Sequence, residues 1–337
     1  MSEAPDQADL ARAGKPLPDA KTNVRPIALN VPRVLTVLDI LTASVMRLDQ
    51  PRGVNCTTGN YELDRITGGF RPGFTWLFGA ATSFGKSSWL VAFADDNIKR
   101  GKKVLIVSSE DTEEVYGDRL MVRRAKVDAM RYRDAKLHDF EREAVDRVLS
   151  EAEEVPVFVD ARRYPVEDLV GHLKNVIREH KVDLVAFDYV QEFRSKRRFQ
   201  DERVKFREIA SMLRHVTKDA KIAGVIFSQL TTTEHTKIPT RDNIRESRDM
   251  AHGAEVIVLG FEPSATIPGP EGKPPIAIEG EKCFFIDKVK NGPRNRIIKA
   301  PWNDEGAYFE THADPEQKRI DSLAEQYDGV GEDQRYP

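Results

Sequence analysis

Thiols are scarce in this sequence. Its two cysteines, Cys56 and Cys283, stand in no metal or redox spacing. That excludes a disulfide framework and a cysteine-ligated zinc site, and it makes both residues buried thiols of a cytosolic protein. Long apolar runs are missing too. None approaches the ~20 residues needed to span a bilayer, and the first residues (MSEAPDQADL) hold no apolar signal core. The expected location is cytoplasmic, with no membrane partner. Charge of one sign is also absent: charged residues make up 32% of the chain, yet the net charge is only −3. Contact with a nucleic acid must therefore come from local clusters. No internal repeat is present. What the chain does have is length, 337 residues, enough for one large domain or two small ones with a sizeable core.

Residues 1–33 carry five prolines and many charges without apolar periodicity, which predicts a disordered arm. Residues 34–53 then form a helical segment. Its stripe of Val34, Leu35, Val37, Leu38, Ile40, Leu41, Val45 and Met46 lies within 34–48. The helix packs either on its own domain or on a neighbouring subunit. From Thr58 onward strand and helix signals alternate. Lys102–Ser109, Val155–Val159, Val182–Phe187 and Ile222–Phe227 read as buried strands. The helical stripes Val166–Ile177 and Phe206–Val216 lie between them, and Ala254–Phe261 and Cys283–Asp287 add further strands. The pattern predicts an α/β fold with a mainly parallel central sheet flanked by helices over residues 54–312. Residues 263–280 read as a surface loop, and residues 313–337 as an acidic mobile tail.

The stretch Ala80–Ser88, AATSFGKSS, follows an apolar run and leads into a helical pattern. That is the setting of a phosphate-binding loop. The first glycine of G-x-x-x-x-G-K-[ST] is missing, because Ala80 holds its place and Gly79 comes one residue early. Backbone N–H groups of Ala81, Thr82, Ser83, Phe84, Gly85, Lys86, Ser87 and Ser88 are expected to cradle phosphate oxygens. Lys86 reaches the β- and γ-phosphates, and Ser87 ligates Mg²⁺. Further polar groups end the strands, at the edge where α/β proteins bind ligands. Asp188 is a second Mg²⁺ group, Glu110 a base for the attacking water, and Gln229 a sensor of the γ-phosphate. Any one of these could simply mark a strand reaching solvent; in this order, with Lys86, they indicate a site for ATP and Mg²⁺.

With these residues in view, the chain resembles the motor domain of DnaB-type replicative helicases, within the RecA-like P-loop ATPases. TGNYELDRITGGF (Thr58–Phe70) resembles that family's lead-in to the core, and AATSFGKSS its P-loop, alanine included. VLIVSSE, FDYVQ (Phe187–Gln191), FSQL (Phe227–Leu230), IRES (Ile244–Ser247) and KVKNGP (Lys288–Pro293) match its remaining motifs in order. The resemblance implies an ATP-dependent DNA helicase acting in DNA replication, with 5′→3′ movement on single-stranded DNA. It implies a homo-oligomeric ring, a hexamer, with a loader or primase as further partners. It also implies that Lys288 and Lys290 reach a neighbouring subunit's nucleotide. The helicase pattern has arginine where Lys290 stands, and lysine lacks the bidentate fork. The segment 34–53 resembles the linker helix of such rings, while the family's large N-terminal domain has no counterpart here.

Two basic segments occupy the places of the ring's central loops. One follows Gln191 and carries Arg194, Lys196, Arg197 and Arg198 beside Phe193 and Phe199. The other carries Lys237, Arg241, Arg245 and Arg248, and the resemblance puts Arg245 and Glu246 on its strand-contacting part. Lys and Arg on phosphates give affinity without base readout; a solvated charge run is the plainer alternative. A RecA-like recombinase or recombination mediator, and a non-unwinding regulatory ring ATPase, are the alternative functions.

Overall fold

The computed structural model describes residues 37–46, 55–151, 157–231, 238–244, 248–262, 281–312 and 315. The expected N-terminal arm, the 263–280 loop and nearly all of the acidic tail lie outside the described residues, as do Lys237, Arg245 and Glu246. The chain divides into two units, Met1–Arg52 and Gly53–Pro337. In the first, helix α1 spans Val37–Met46, with Val37, Leu38, Leu41 and Val45 exposed.

The second unit is built on one eight-stranded sheet. Its strands are β1 Thr75–Ala80, β2 Val104–Ser108, β3 Val157–Asp160, β4 Leu184–Asp188, β5 Ala223–Gln229, β6 Val256–Phe261, β7 Cys283–Val289 and β8 Arg296–Lys299. Their order is β3-β2-β4-β5-β1-β6-β7-β8. The first six are parallel, while β7 and β8 run antiparallel at one end. The helices are α2 Tyr61–Thr67, α3 Lys86–Ile98, α4 Glu113–Ala125, α5 Ala129–Arg133, α6 Asp139–Glu151, α7 Val166–His180, α8 Glu202–Ala220 and α9 Arg248–Gly253. A short hairpin, β9 Trp302–Asn303 with β10 Tyr308–Phe309, follows β8. The mainly parallel α/β architecture is as the sequence predicts. Each expected strand is present with its ends moved by a residue or two, and β3 begins at Val157.

The strands read as unbroken apolar runs because both faces are covered. Successive side chains still part to opposite faces. Trp76 and Phe78 of β1 join the core that holds α3, while Leu77 joins the core under α7 and α8. The first core is aromatic. Trp89 packs 4.3 Å from Phe78 and 5.0 Å from Phe284 between ring centroids, and Phe70 lies edge-on to Trp76 at 4.7 Å. The second is mainly aliphatic, with Leu169, Leu173, Ile209 and Leu213 facing Val185, Phe187 and Ile226.

Helix α3 is buried from Ser87 to Ile98, so its polar residues need partners inside the protein. The side chain of Asn97 bonds the backbone of Thr57 in both directions at 2.8 Å. Asp95, fully buried, receives Arg123 together with Arg124 at 2.7 Å and Lys99 at 2.9 Å. Arg123 also reaches Asp96 at 2.9 Å. This network ties α4 to α3.

Asp95→Ala removes one of the two carboxylates that hold the buried Arg123 guanidinium and is expected to cost about 1.5–3 kcal/mol in urea unfolding. Burial works to raise the Asp95 carboxyl, but Lys99, Arg123 and Arg124 outweigh it and hold it below its ordinary 3.8. Its stabilisation is therefore complete above pH ~4 and is lost as pH falls through the lower folded value. Equal urea midpoints for variant and wild type would show that the network holds nothing.

Candidate functional site

Gly85, in the left-handed region at φ 99, turns the chain from β1 into α3. A Cβ there would meet the Trp302 ring at 3.1 Å and the Phe309 ring at 3.3 Å. No side chain caps α3, and the first N–H groups of a helix have no partner within it. Lys86, Ser87 and Ser88 supply those groups. Phe84 departs from the expectation that it simply lines the phosphates. Its side chain is core, 5.6 Å from Phe309, and its N–H donates to Ala81 O at 3.4 Å. The Ser88 hydroxyl likewise faces away, accepting from Arg119 at 3.2 Å. Ala81, Thr82 and Ser83 form the partly exposed front of the loop, with Ser83 at φ 69.

Behind the loop, the Ser87 hydroxyl donates to Asp188 Oδ2 at 2.8 Å, and the Tyr116 hydroxyl donates to the same oxygen at 2.8 Å. Asp188 is completely buried, and its Oδ1 has no hydrogen-bond partner. Burial pushes its carboxyl up, against the Ser87 and Tyr116 hydrogen bonds and the Lys86 charge. A buried carboxylate oxygen without a donor suits a cation, and an uncapped helix start suits an anion. These residues fit Mg²⁺ and a nucleoside triphosphate. Burial lowers the Lys86 amine, against the pull of Asp188 and Glu110; a bound phosphate would favour its charged form.

Glu110 follows β2 and is exposed. Partial desolvation, then the Asp188 and Asp111 charges, raise its carboxyl above the ordinary glutamate value. Gln229, at the end of β5, donates to Thr82 Oγ1 at 2.7 Å and so touches the phosphate loop. Gln191 bridges the ends of β4 and β5: its amide donates to Ser228 Oγ at 2.8 Å, and its oxygen accepts Gln229 N–H at 3.3 Å. Spacing alone could not single out Gln191, Arg119 or Tyr116, because their partners lie on other elements.

Lys288 and Lys290 stand at the opposite edge of the sheet. Lys288 pairs with Ile257, and Lys290 N–H donates to Glu255 O at 2.8 Å, level with the start of β1. Ala80, where the phosphate loop begins, pairs with Gly260. At ~3.3 Å per residue the two levels are about 16 Å apart. The side chains of Lys288 and Lys290 differ. Lys288 Nζ lies 3.4 Å from Ala251 O, whereas Lys290 is exposed.

Of the basic segments, Arg194, Lys196, Arg197 and Arg198 are exposed on the loop after β4. Val166 N–H donates to Arg194 O at 2.8 Å, and Lys196 is paired with Asp168. Phe193, expected beside these cations, is instead buried edge-on to Phe187 at 6.4 Å. Arg241 forms an ion pair with Asp287 at 2.9 Å.

A glycine loop between the central strand and a buried helix, facing an acidic strand end two strands away, defines the RecA-like P-loop class. Within it, the chain belongs to the DnaB-like helicase C terminal domain family, whose profile matches residues 55–311. It is similar to the replicative DNA helicase DnaB of Haemophilus influenzae, 25% identical over 293 residues, or 84% of this chain and 60% of that protein. It is also similar to a probable replicative DNA helicase of Trieres chinensis, 22% identical over 275 residues, or 78% of this chain and 60% of that one. The chain thus spans about three fifths of the length of these relatives. Among solved structures, a DnaB-like replicative helicase described with its primase interactions superposes with TM-score 0.70 at 18% identity, over 82% of this chain and 67% of that one. An isolated ATPase domain gives 0.71 at 18% identity, over 82% of this chain and 98% of its own.

Gly85→Ala places a methyl against Trp302 and Phe309 at a φ that L-residues avoid. Backbone strain of about 1–3 kcal/mol is expected, and with it a roughly 10–100-fold weaker affinity for a fluorescent ADP analogue. Unchanged affinity in an equilibrium titration would remove this loop from the binding site.

Proposed function

We propose that this chain is the motor of a DnaB-like replicative helicase, an ATPase that moves on single-stranded DNA and works as a homo-oligomeric ring, a hexamer. The observation that carries the nucleotide reading is the Ser87–Asp188 hydrogen bond, which leaves the buried Asp188 Oδ1 without a donor. Mg·ATP, when bound, supplies the phosphoryl group for transfer to water and a divalent charge that offsets its negative charge. Ser87 and Asp188 would hold the metal. The N–H groups from Gly85 to Ser88 and the Lys86 amine would hold the phosphates. Glu110 accepts the proton of the attacking water at its carboxylate, and its raised pKa suits it to that task. Gln229, bonded to Thr82 and linked through Gln191 to the end of β4, ties the phosphate loop to the segments that follow β4 and β5.

Lys290 lies too far from its own phosphate loop to serve it, so it acts on the site of a neighbouring copy; its exposure supports this role better than the inward contact of Lys288 does. Its charge would stabilise the negative charge of the transition state. The basic loop of Arg194, Lys196, Arg197 and Arg198 follows β4 at the same edge as the phosphate loop, and single-stranded DNA backbone is its proposed ligand. Arg241, Lys237, Arg245 and Glu246 belong to the second proposed DNA segment. The apolar face of α1 is proposed to dock on a neighbouring copy, and a loader or primase remains a proposed partner. Family membership favours this reading over the recombinase and scaffold alternatives.

Glu110→Gln is expected to bind ATP as wild type does yet lose at least 100-fold in turnover, while Lys86→Ala loses tight binding. The acid limb of the wild-type rate should lie above the ordinary glutamate value, because the base must be deprotonated and its pKa is raised. Normal turnover by Glu110→Gln would move the base elsewhere. Lys290→Ala is expected to lower turnover far more than ATP affinity. Mixing it with Glu110→Gln subunits should restore activity, since an intact Glu110 can then face an intact Lys290. No recovery in mixed rings would contradict a shared site.

A further inference from the structure

We infer that Tyr116 is the positioning residue for metal binding at this site, because it fixes which oxygen of Asp188 faces the cation. The inference rests on the nucleotide site proposed above. A carboxylate at a metal site has two oxygens and one free torsion, so its orientation depends on what bonds the oxygen turned away from the metal. Here Oδ2 accepts two hydroxyl donors at 2.8 Å, from Ser87 and from Tyr116, and Oδ1 accepts none.

The two donors are not equivalent. Ser87 stands on the phosphate loop itself, and its oxygen is the group proposed to ligate the metal. Its hydroxyl must serve the metal and Oδ2 together. Tyr116 stands off the phosphate loop and is not itself a proposed ligand. It is buried in the aromatic core, on the first turn of α4, and from there its hydroxyl reaches Oδ2. α4 begins three residues after Glu110, and Arg119, one turn further on, reaches Ser88 and Asp111. The same helix that follows the proposed base therefore orients the proposed metal ligand. Without the phenol, Oδ2 keeps only the Ser87 donor, which the metal also claims, and the carboxylate is free to rotate Oδ1 away.

Tyr116→Phe removes one oxygen and keeps the ring. The probe is a fluorescent N-methylanthraniloyl-ADP, titrated with Mg²⁺ at fixed protein and nucleotide and, separately, bound in EDTA. The expected result is an Mg²⁺ midpoint raised about tenfold with unchanged affinity in EDTA, because the phosphate cradle is untouched. In an Asp188→Asn background the same change should add nothing further, since its route of action is gone. Thermal unfolding without nucleotide checks that the variant is folded. If it is not, 4-fluorophenylalanine at position 116, which fills the space of the hydroxyl without donating, is put through the same comparison. An unchanged Mg²⁺ midpoint overturns the inference, as does an equal loss with Mg²⁺ and in EDTA, which is the mark of a merely structural role. A wild type whose nucleotide binding ignores Mg²⁺ overturns the nucleotide site as well. A wild type that responds to Mg²⁺ beside a variant that matches it overturns the role of Tyr116 alone.

Discussion

The hydrogen bond from Ser87 to Asp188 is the contact on which the rest of the site depends. It joins residues 101 apart in the chain. One opens α3 after β1; the other closes β4, and β5 lies between those two strands. The bond can form only if β1, β5 and β4 run parallel and end nearly level. The register provides this, with Phe78 beside Phe227 and Phe187 beside Ile226. Glu110 and Gln229 reach the same edge because β2 and β5 share that register. A strand slipped by one residue would turn Asp188 to the other face of the sheet.

Beneath this edge the aromatic core gives the phosphate loop a rigid floor. Phe84 descends from the loop into the rings of Phe78, Phe284 and Phe309, so the loop is anchored from below. Trp302 and Phe309 close over Gly85, so a side chain there would be crowded as well as strained at its positive φ. The buried Asp95 and Arg123 network fixes α4, which holds Tyr116 over Asp188. Glu110, Lys290 and the cations of the loop after β4 are exposed at the rims. In the proposed motor, the packed floor would hold phosphate and the exposed rim would meet a neighbouring copy or a DNA strand.

Much of this was legible in the chain. The phosphate loop was readable because residue type and spacing dictate its chemistry locally. The strand ends were readable because each apolar run gives way to polar residues, at once to Asp188 after β4 and one or two residues on to Gln229 and Glu110. Other features depend on tertiary neighbours. The helices over 113–151 are rich in charge and show little apolar periodicity, since only a narrow face of each packs inward. Tyr116 has no local signature, because it is defined by a partner on another element; Gln191 closes the FDYVQ motif, but its bonds to Ser228 and Gln229 are not readable there. Phe193 stood beside the cations of the basic segment in the sequence, but the turn after β4 carries it into the core. Lys288 and Lys290 looked alike on the chain; the contact with Ala251 and the exposure of Lys290 separate them.

The central claim is that the edge holding Ser87, Asp188 and Glu110 hydrolyses ATP under the control of single-stranded DNA. The most direct measurement is the steady-state rate of phosphate release from Mg·ATP by the purified chain, with and without unrelated single-stranded oligonucleotides. The account predicts a slow basal rate that rises severalfold with either oligonucleotide and loses that rise as salt is added. A chain that releases no phosphate in either condition, or one whose rate ignores DNA entirely, would contradict it.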